Sequence, residues 1–178
     1  MDMPITMINT QVIPTLPHRA PIQLPIGAAQ LADCNAVVAL FGALHAYNAS
    51  LDRHFALADD WADLLRADFS KTYQDPERLW LLMKDEEQDV GLLIAGIHTD
   101  SPLFRHRHWV EVEALYLAPS HRGRGAARRL LKRAYTWAQA HGLSRVELYV
   151  TATNVRAQSV YVADGFSITQ AIMRKTLN

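Results

Sequence analysis

From Ala28 to about Asn48, Leu31, Val38, Phe41, Leu44 and His45 fall near one face at three- and four-residue steps, which predicts a helix. Ala58 to about Tyr73 repeats the period with Trp61, Leu64, Leu65 and Phe69, and Asp59 and Asp60 at its start suit the helix dipole. Two short apolar runs follow, Leu79 to Met83 and Val90 to Ile97. The charged turn Asp85-Glu86-Glu87-Gln88-Asp89 divides them, so they read as a hairpin.

Trp109 to Leu117 predicts a third strand. Period-two alternation puts Trp109, Glu111 and Glu113 on one side and Val110, Val112 and Ala114 on the other, so two acids interrupt an otherwise buried strand. From Gly123 to about Ala140, Ala127, Leu130, Leu131, Ala134 and Ala138 form one stripe. Arg128, Arg129, Lys132, Arg133 and Gln139 lie opposite as a solvated face, and Gly142 is placed to stop the helix. Val146 to Val150 is a further strand, Asn154 to Ala163 a short helix capped by Asn154, and Phe166 to Leu177 a closing strand. The order β-α-α-β-β-β-α-β-α-β implies a mixed α/β (α+β) sheet covered by helices, because the strand–helix–strand step through 109–150 demands a parallel crossover.

At 178 residues, 49% hydrophobic and 20% charged, the chain has the size and composition of one globular domain with a sizeable core. Residues 1–25 carry five prolines and read as an extended arm, leaving 26–178 as the single domain. The arm lacks a basic stretch followed by an apolar core, so no signal peptide is expected, and no apolar run reaches membrane length. The lone Cys34, beside Ala36, Val37 and Val38, reads as a buried helical thiol, and a cytoplasmic setting follows. Net charge is zero, yet residues 1–100 hold 14 acidic and 6 basic side chains against 4 and 12 in residues 101–178. That segregation points to an anionic ligand on the C-terminal half and a cationic one met by the N-terminal half.

His121-Arg122-Gly123-Arg124-Gly125-Ala126-Ala127 stands between the third strand and the amphipathic helix. The first N–H groups of a helix have no internal partner, the dipole makes that end electropositive, and glycines let backbone approach an anion. Arg122 and Arg124 add charge that forks onto phosphate oxygens. The spacing R-x-x-G-x-A lacks the lysine of a Walker A loop and the first glycine of a dinucleotide fingerprint. A pyrophosphate is the expected ligand.

The run Glu113-Ala114-Leu115-Tyr116-Leu117-Ala118-Pro119, the R-x-x-G-x-A turn and the segment Asn154-x-x-Ala157-x-x-x-Tyr161-x-x-x-Gly165-Phe166 together resemble the GNAT superfamily of acetyl-CoA-dependent N-acetyltransferases. The likeness covers about residues 105–167. It implies a mixed, mostly antiparallel sheet with a central parallel V-shaped split, flanked by about four helices. It further implies that the N–H groups of Arg122, Gly123, Arg124, Gly125, Ala126 and Ala127 hold the pyrophosphate of coenzyme A. The polar edge of Leu115, Tyr116 and Leu117 would pair with the pantetheine arm, and Asn154 would contact that arm or start the following helix.

An amine acceptor is mostly ammonium at neutral pH, with a reference pKa of about 10.4 for a lysine-like group, so a base is required. Glu113 occupies the place of a catalytic glutamate in some members, and Glu111 on the same strand face is the alternative, directly or through water. A salt bridge from either acid to Arg105 or Arg107 would remove it from that role. Tyr161 would stand near the sulfur and protonate the departing thiolate, while a strand N–H near Leu117 polarises the thioester carbonyl. Many members end in two further strands; the dozen or so residues after Gly165 imply one long last strand or one completed by another subunit.

The expected acceptor is a small cationic amine, met by Asp52, Asp59, Asp60 and Asp63 with Trp61 and Tyr47 as flat faces for an ammonium. A protein or peptide acceptor and a non-catalytic acyl-CoA-binding module are the competing readings. The chain is expected to act as a monomer or homodimer. Nucleic acid is not an expected partner, because no aromatic residues interleave the basic face. Metal is not expected either: His106-Arg107-His108 alternates with a cation, and no H-x-x-x-H lies on a helix.

Overall fold

The computed structural model describes residues 21–177. Most of the expected arm, residues 1–20, lies outside the described residues. The elements run β1 (Ile26–Ala28), α1 (Cys34–Leu51), α2 (Trp61–Thr72), β2 (Arg78–Asp85), β3 (Gln88–Thr99), β4 (His108–Leu117), α3 (Ala126–Ala140), β5 (Val146–Leu148) and α4 (Val155–Ala163). The five strands lie side by side in sequence order, with every neighbouring pair antiparallel except β4 and β5, which are parallel. None of the helices described is long and apolar enough to cross a membrane.

Each face of the sheet carries its own core. On one face α3 lays Ala126, Leu130, Leu131, Ala134 and Ala138 against Leu81, Met83, Leu93, Val110 and Val112. Each fully buried leucine of that stripe is worth about 1.5–3 kcal/mol. On the other face, Val37 and Leu40 of α1 and Phe69 of α2 cover Trp80, Leu82, Leu92, Ile94 and Ala114. Leu31, expected on the α1 face, precedes the helix in a 3-10 turn and is half exposed. Cys34 opens α1 and is only partly buried against this second core.

The expected grouping of Ala114 with Val110 and Val112 is incorrect. Ile94 pairs with Ala114 and Ala95 with Val112, so Glu113 is an extra residue in β4, a β-bulge. The bulge reverses the alternation: Val110 and Val112 face α3, Ala114 and Tyr116 face α1, and Leu115 and Leu117 turn back toward α3. The bulge also separates the part of β4 that β5 pairs from the part that it leaves open, since β5 reaches only Val110, Glu111 and Val112.

Two further expectations are corrected. Residues 166–177 form no strand, and Ile168, Ile172, Met173 and Leu177 are exposed, so no neighbouring strand gives this segment a ladder. The strand expected over 146–150 stops at Leu148. The basic side of α3 is not simply solvated either. Arg129 donates to the carbonyls of Ile22 and Leu24, Arg133 donates to that of Ile26, and Ile22 N–H donates to Arg124 O. These bonds fasten residues 22–26 along α3, where Ile22, Leu24 and Ile26 pack against the first core.

Candidate active site

The open stretch of β4 is the floor of the site. Ala118 N–H donates to Val90 O of β3, so strand alternation turns the N–H and C=O groups of Leu115 and Leu117 to the opposite, unpaired edge. Arg122 confirms the direction, because its Nε–H donates to Leu117 O at 2.8 Å. Its guanidinium lies 5.5 Å from the ring of Tyr116 and 5.8 Å from that of Tyr47 on α1. The Arg122 side chain thus closes the end of β4 onto α1, and its backbone leads into the turn beyond.

That turn reverses direction through two left-handed residues, Gly123 at φ 74° and Gly125 at φ 75°. Only glycine takes such angles without strain. The turn is anchored from behind by His121, whose ring joins Asp85 Oδ2 at 2.8 Å and Ser120 Oγ at 2.9 Å. Among the described residues, the N–H groups of Gly123, Gly125, Ala126 and Ala127 donate to no backbone carbonyl. A Cβ on Gly125 would meet nothing within 4 Å. Unspent donors, an electropositive helix start and open space in front of them make an anion cradle.

Cradle and open edge border one cleft of about 590 Å³, closed on its far side by α4. Leu115, Tyr116, Leu117, Arg122, Gly123, Gly125, Ala126, Ala127, Asn154 and Tyr161 all line it. Arg124 is not among the lining residues, and its carbonyl holds Ile22. Asn154 accepts from Ala157 N–H at 3.1 Å and caps α4. Tyr161 packs edge-on to Phe166 at 5.7 Å, and burial pushes its phenol up to about 12. It therefore carries its proton throughout the neutral range.

Glu111 and Glu113 stand outside the cleft lining, on the α1 and α2 face of the sheet. Neither is bridged to Arg105 or Arg107. Arg78 grips both carboxylate oxygens of Glu113 through its two terminal nitrogens. The absence of a side chain at Gly96 makes room: a Cβ there would stand 2.7 Å from Arg78 Nη1 and 3.0 Å from Glu113 Oε1. Gly96→Ala is therefore expected to cost about 1 kcal/mol by overpacking and to lower Tm by about 2–4 °C. An unchanged melting curve would mean that the pair moves aside freely.

Among the described residues Glu111 makes no ion pair with an arginine. His98 Nδ1 lies 3.7 Å from its Oε2, and Glu147 of β5 stands opposite it in the ladder. Burial raises its pKa most; His98 and Arg78 act against that, while Glu113 and Glu147 add to it.

The acids expected to form an acceptor pocket are not gathered at the cleft. Asp52 is held by His54 and by Arg174 at 3.0 Å, which keep its carboxyl well below the usual range. Asp63 pairs with Arg66. Trp61 stacks on Phe41 and abuts Gly42, whereas Tyr47 lines the cleft with its ring 5.8 Å from the Arg122 guanidinium.

Three residues at or behind the site went unread in the sequence. Arg78 opens an apolar strand, and only sheet register brings it to Glu113. Asp164 and Tyr135 meet between α4 and α3, and the one available sign was an acid directly after a short helix and just before Gly165-Phe166.

The family described as acetyltransferase (GNAT) matches residues 44–166 of the chain. Mycothiol acetyltransferase of Beutenbergia cavernae is 36% identical over 58% of this chain and 33% of its own length. An uncharacterized N-acetyltransferase of Mycobacterium bovis is 36% identical over 60% of this chain and 64% of its own. The chain thus spans between about one third and two thirds of these curated relatives. Among solved structures, a mutant of the BH1408 protein from Bacillus halodurans superposes with a TM-score of 0.77 at 22% identity, covering 87% of this chain and 100% of that one. This last likeness is one of fold.

Proposed function

Because the chain belongs to the acetyltransferase (GNAT) family, we propose that it transfers an acetyl group from acetyl-CoA directly to a primary amine of a small cationic molecule. The observation that carries this reading is the meeting of three features in one cleft: an unpaired strand edge, a cradle of unspent N–H groups and a buried phenol. The cradle fits a pyrophosphate and the edge fits an amide-bearing arm, which a β-strand pairs as it would another strand. Acetyl-CoA, when bound, supplies an activated thioester.

The chain's residues divide the remaining work. The N–H of Leu115 or Leu117 on the open edge polarises the acyl carbonyl, and Tyr161 donates a hydrogen bond to the sulfur as charge develops there. Glu111 is the better proton acceptor of the two strand acids. Both oxygens of Glu113 are already engaged by Arg78, which leaves it no free oxygen to present to a proton. Glu111 has no such clamp and is half withdrawn from water with a raised pKa. Glu111 takes the ammonium's proton through water, and the Arg78–Glu113 pair holds the bulge that opens the cleft.

On this reading activity climbs with pH through a limb above the ordinary carboxylate range, because Glu111 must lose its proton first. Glu111→Gln is expected to lower kcat roughly tenfold at pH 7, solvent taking over part of the role, and to flatten that limb. Glu113→Gln should keep the limb and move it to lower pH, because the Glu113 charge adds to the rise of the Glu111 pKa. A limb that disappears with Glu113→Gln and survives Glu111→Gln would reverse the assignment.

Small cationic acceptors are supported by the net acidity of the 1–100 half and by the name of one structural neighbour. That neighbour is an aminoglycoside 6'-N-acetyltransferase from Acinetobacter haemolyticus, with a TM-score of 0.66 at 20% identity, covering 87% of this chain and 99% of that one. An acetyl-CoA consumption screen over polyamines, aminoglycosides, amino-acid-like amines and short peptides, read as free thiol, tests the proposal. Thiol release with peptides alone would overturn the small-molecule part of it.

A further inference from the structure

Asp164 is the most enclosed carboxylate at the cleft, its side chain only 5% exposed. Both of its oxygens are occupied: Oδ1 lies 2.8 Å from Arg128 Nε, and Oδ2 accepts from the Tyr135 hydroxyl at 2.6 Å. A carboxylate withdrawn from water persists as a charge only when paired and hydrogen-bonded in this way. Burial and the Asp164 carboxylate both push the Tyr135 phenol well above its usual range, so it remains a donor.

Both charged partners oppose their own helix. Arg128 is in the first turn of α3, where the dipole disfavours a cation, and Asp164 follows the last residue of α4, where it disfavours an anion. Their pairing offsets the conflict only in part, because the Arg128 side chain is 62% exposed and lines the cleft beside the cradle. Among the described residues Arg128 has no second ion pair or hydrogen bond. A guanidinium carries five donors, so most of them face solvent within the cleft.

We infer that Arg128 is a phosphate-recognition residue of this cleft, and that Asp164 and Tyr135 are positioning residues that hold its guanidinium beside the cradle. The inference rests on the cleft being the coenzyme A site. Coenzyme A offers two kinds of phosphate, the pyrophosphate and the ester on its ribose, and either matches a planar fork of donors. The node also ties the start of α3, which carries the cradle, to the end of α4, which carries Tyr161, so nucleotide end and reacting end are set by one contact.

The test is calorimetric titration of the full chain with coenzyme A and with its 3'-dephospho form. Arg128→Gln is expected to weaken coenzyme A binding about tenfold, the loss of one charge-assisted phosphate contact. If the ribose ester is the partner, wild type prefers coenzyme A over the dephospho form and Arg128→Gln loses that preference. If it is the pyrophosphate, Arg128→Gln weakens both ligands alike.

Asp164→Asn should weaken binding by less and add nothing in the Arg128→Gln background, a coupling in ligand affinity that a purely structural tie would not produce. Arg128→Lys keeps the charge without the fork and is expected to bind about threefold more weakly, which keeps the idea testable should the glutamine variant fail to fold. Affinity within twofold of wild type in Arg128→Gln, or unchanged affinity in Arg128→Lys, overturns the role of Arg128 alone. A wild-type chain that binds no coenzyme A overturns the reading of the cleft itself.

Discussion

Tyr161→Phe is expected to slow acetyl transfer by roughly 10²–10³ at neutral pH while leaving coenzyme A affinity within about twofold, the range seen when one preset donor to developing charge is removed. The substitution deletes a single oxygen from a ring packed against Phe166, so the shape of α4 and of the cleft is kept. The size of the loss follows from the proton's energetics. Burial pushes the phenol up to about 12, whereas a thiol has a reference pKa of about 8.5, so complete transfer is uphill and, in the proposed mechanism, Tyr161 acts chiefly by hydrogen-bonding to the thiolate as it forms. Rapid-quench measurement of the chemical step reads this directly, and a change below threefold would take Tyr161 out of the mechanism.

The same shift has a pH signature. The neutral phenol is the active form and persists to about 12, so Tyr161 contributes no alkaline limb to kcat between pH 7 and 10. In the unfolded chain the phenol ionises near its reference value of about 10. The folded state therefore binds the extra proton above that pH. The stability that Tyr161 contributes is fully present below about pH 10 and is lost as the pH rises toward about 12. Denaturant titrations at pH 8 and pH 11, compared between wild type and Tyr161→Phe, isolate this contribution, which vanishes in the phenylalanine variant.

Gly125→Asp is expected to weaken coenzyme A binding by more than about 100-fold. Gly125 precedes the first residue of α3 with φ 75°, and a side chain there projects into open cleft. Aspartate and asparagine tolerate left-handed backbone better than other residues, so strain is at most about 1–2 kcal/mol and the fold survives. The carboxylate then occupies the place that the cradle reserves for phosphate. Two like charges about 4 Å apart near a protein surface repel by about 4 kcal/mol, which exceeds a hundredfold loss. Gly125→Asn carries the same bulk without the charge, and its affinity should fall about tenfold; equal losses in the two variants would show that bulk alone was felt. Unaltered binding by Gly125→Asp would refute the cradle.

The contrast between what could and could not be read from the residues is sharpest on β4. Its limits, its acids and the glycine turn beyond it were legible, because period-two alternation and left-handed glycines are local properties. The bulge at Glu113 was not, since an extra residue exists only relative to a partner strand, and it moved Ala114 to the opposite core. The same reason hid the Arg78–Glu113 pair: 35 residues separate the partners, and only the ladder through Gly96 brings them together.

Charge was misread in the same way. The row of arginines on α3 looked like a solvated face, yet Arg129 and Arg133 hold the backbone of residues 22–26 and Arg128 holds Asp164. Of the expected acceptor acids, Asp52 is tied to His54 and to the distant Arg174, and Asp63 to Arg66. The strand expected over 166–177 has the composition of one but pairs with no neighbour, and β propensity without a ladder does not make a strand.

The sequence by itself determined the helices, the hairpin, the glycine turn and the family, all of which follow from periodicities and spacings within a few dozen residues. The tertiary structure alone decided which side chains stay available for chemistry. Availability depends on what each charge meets across the sheet, and that is set by register, bulges and helix packing between residues far apart in the chain.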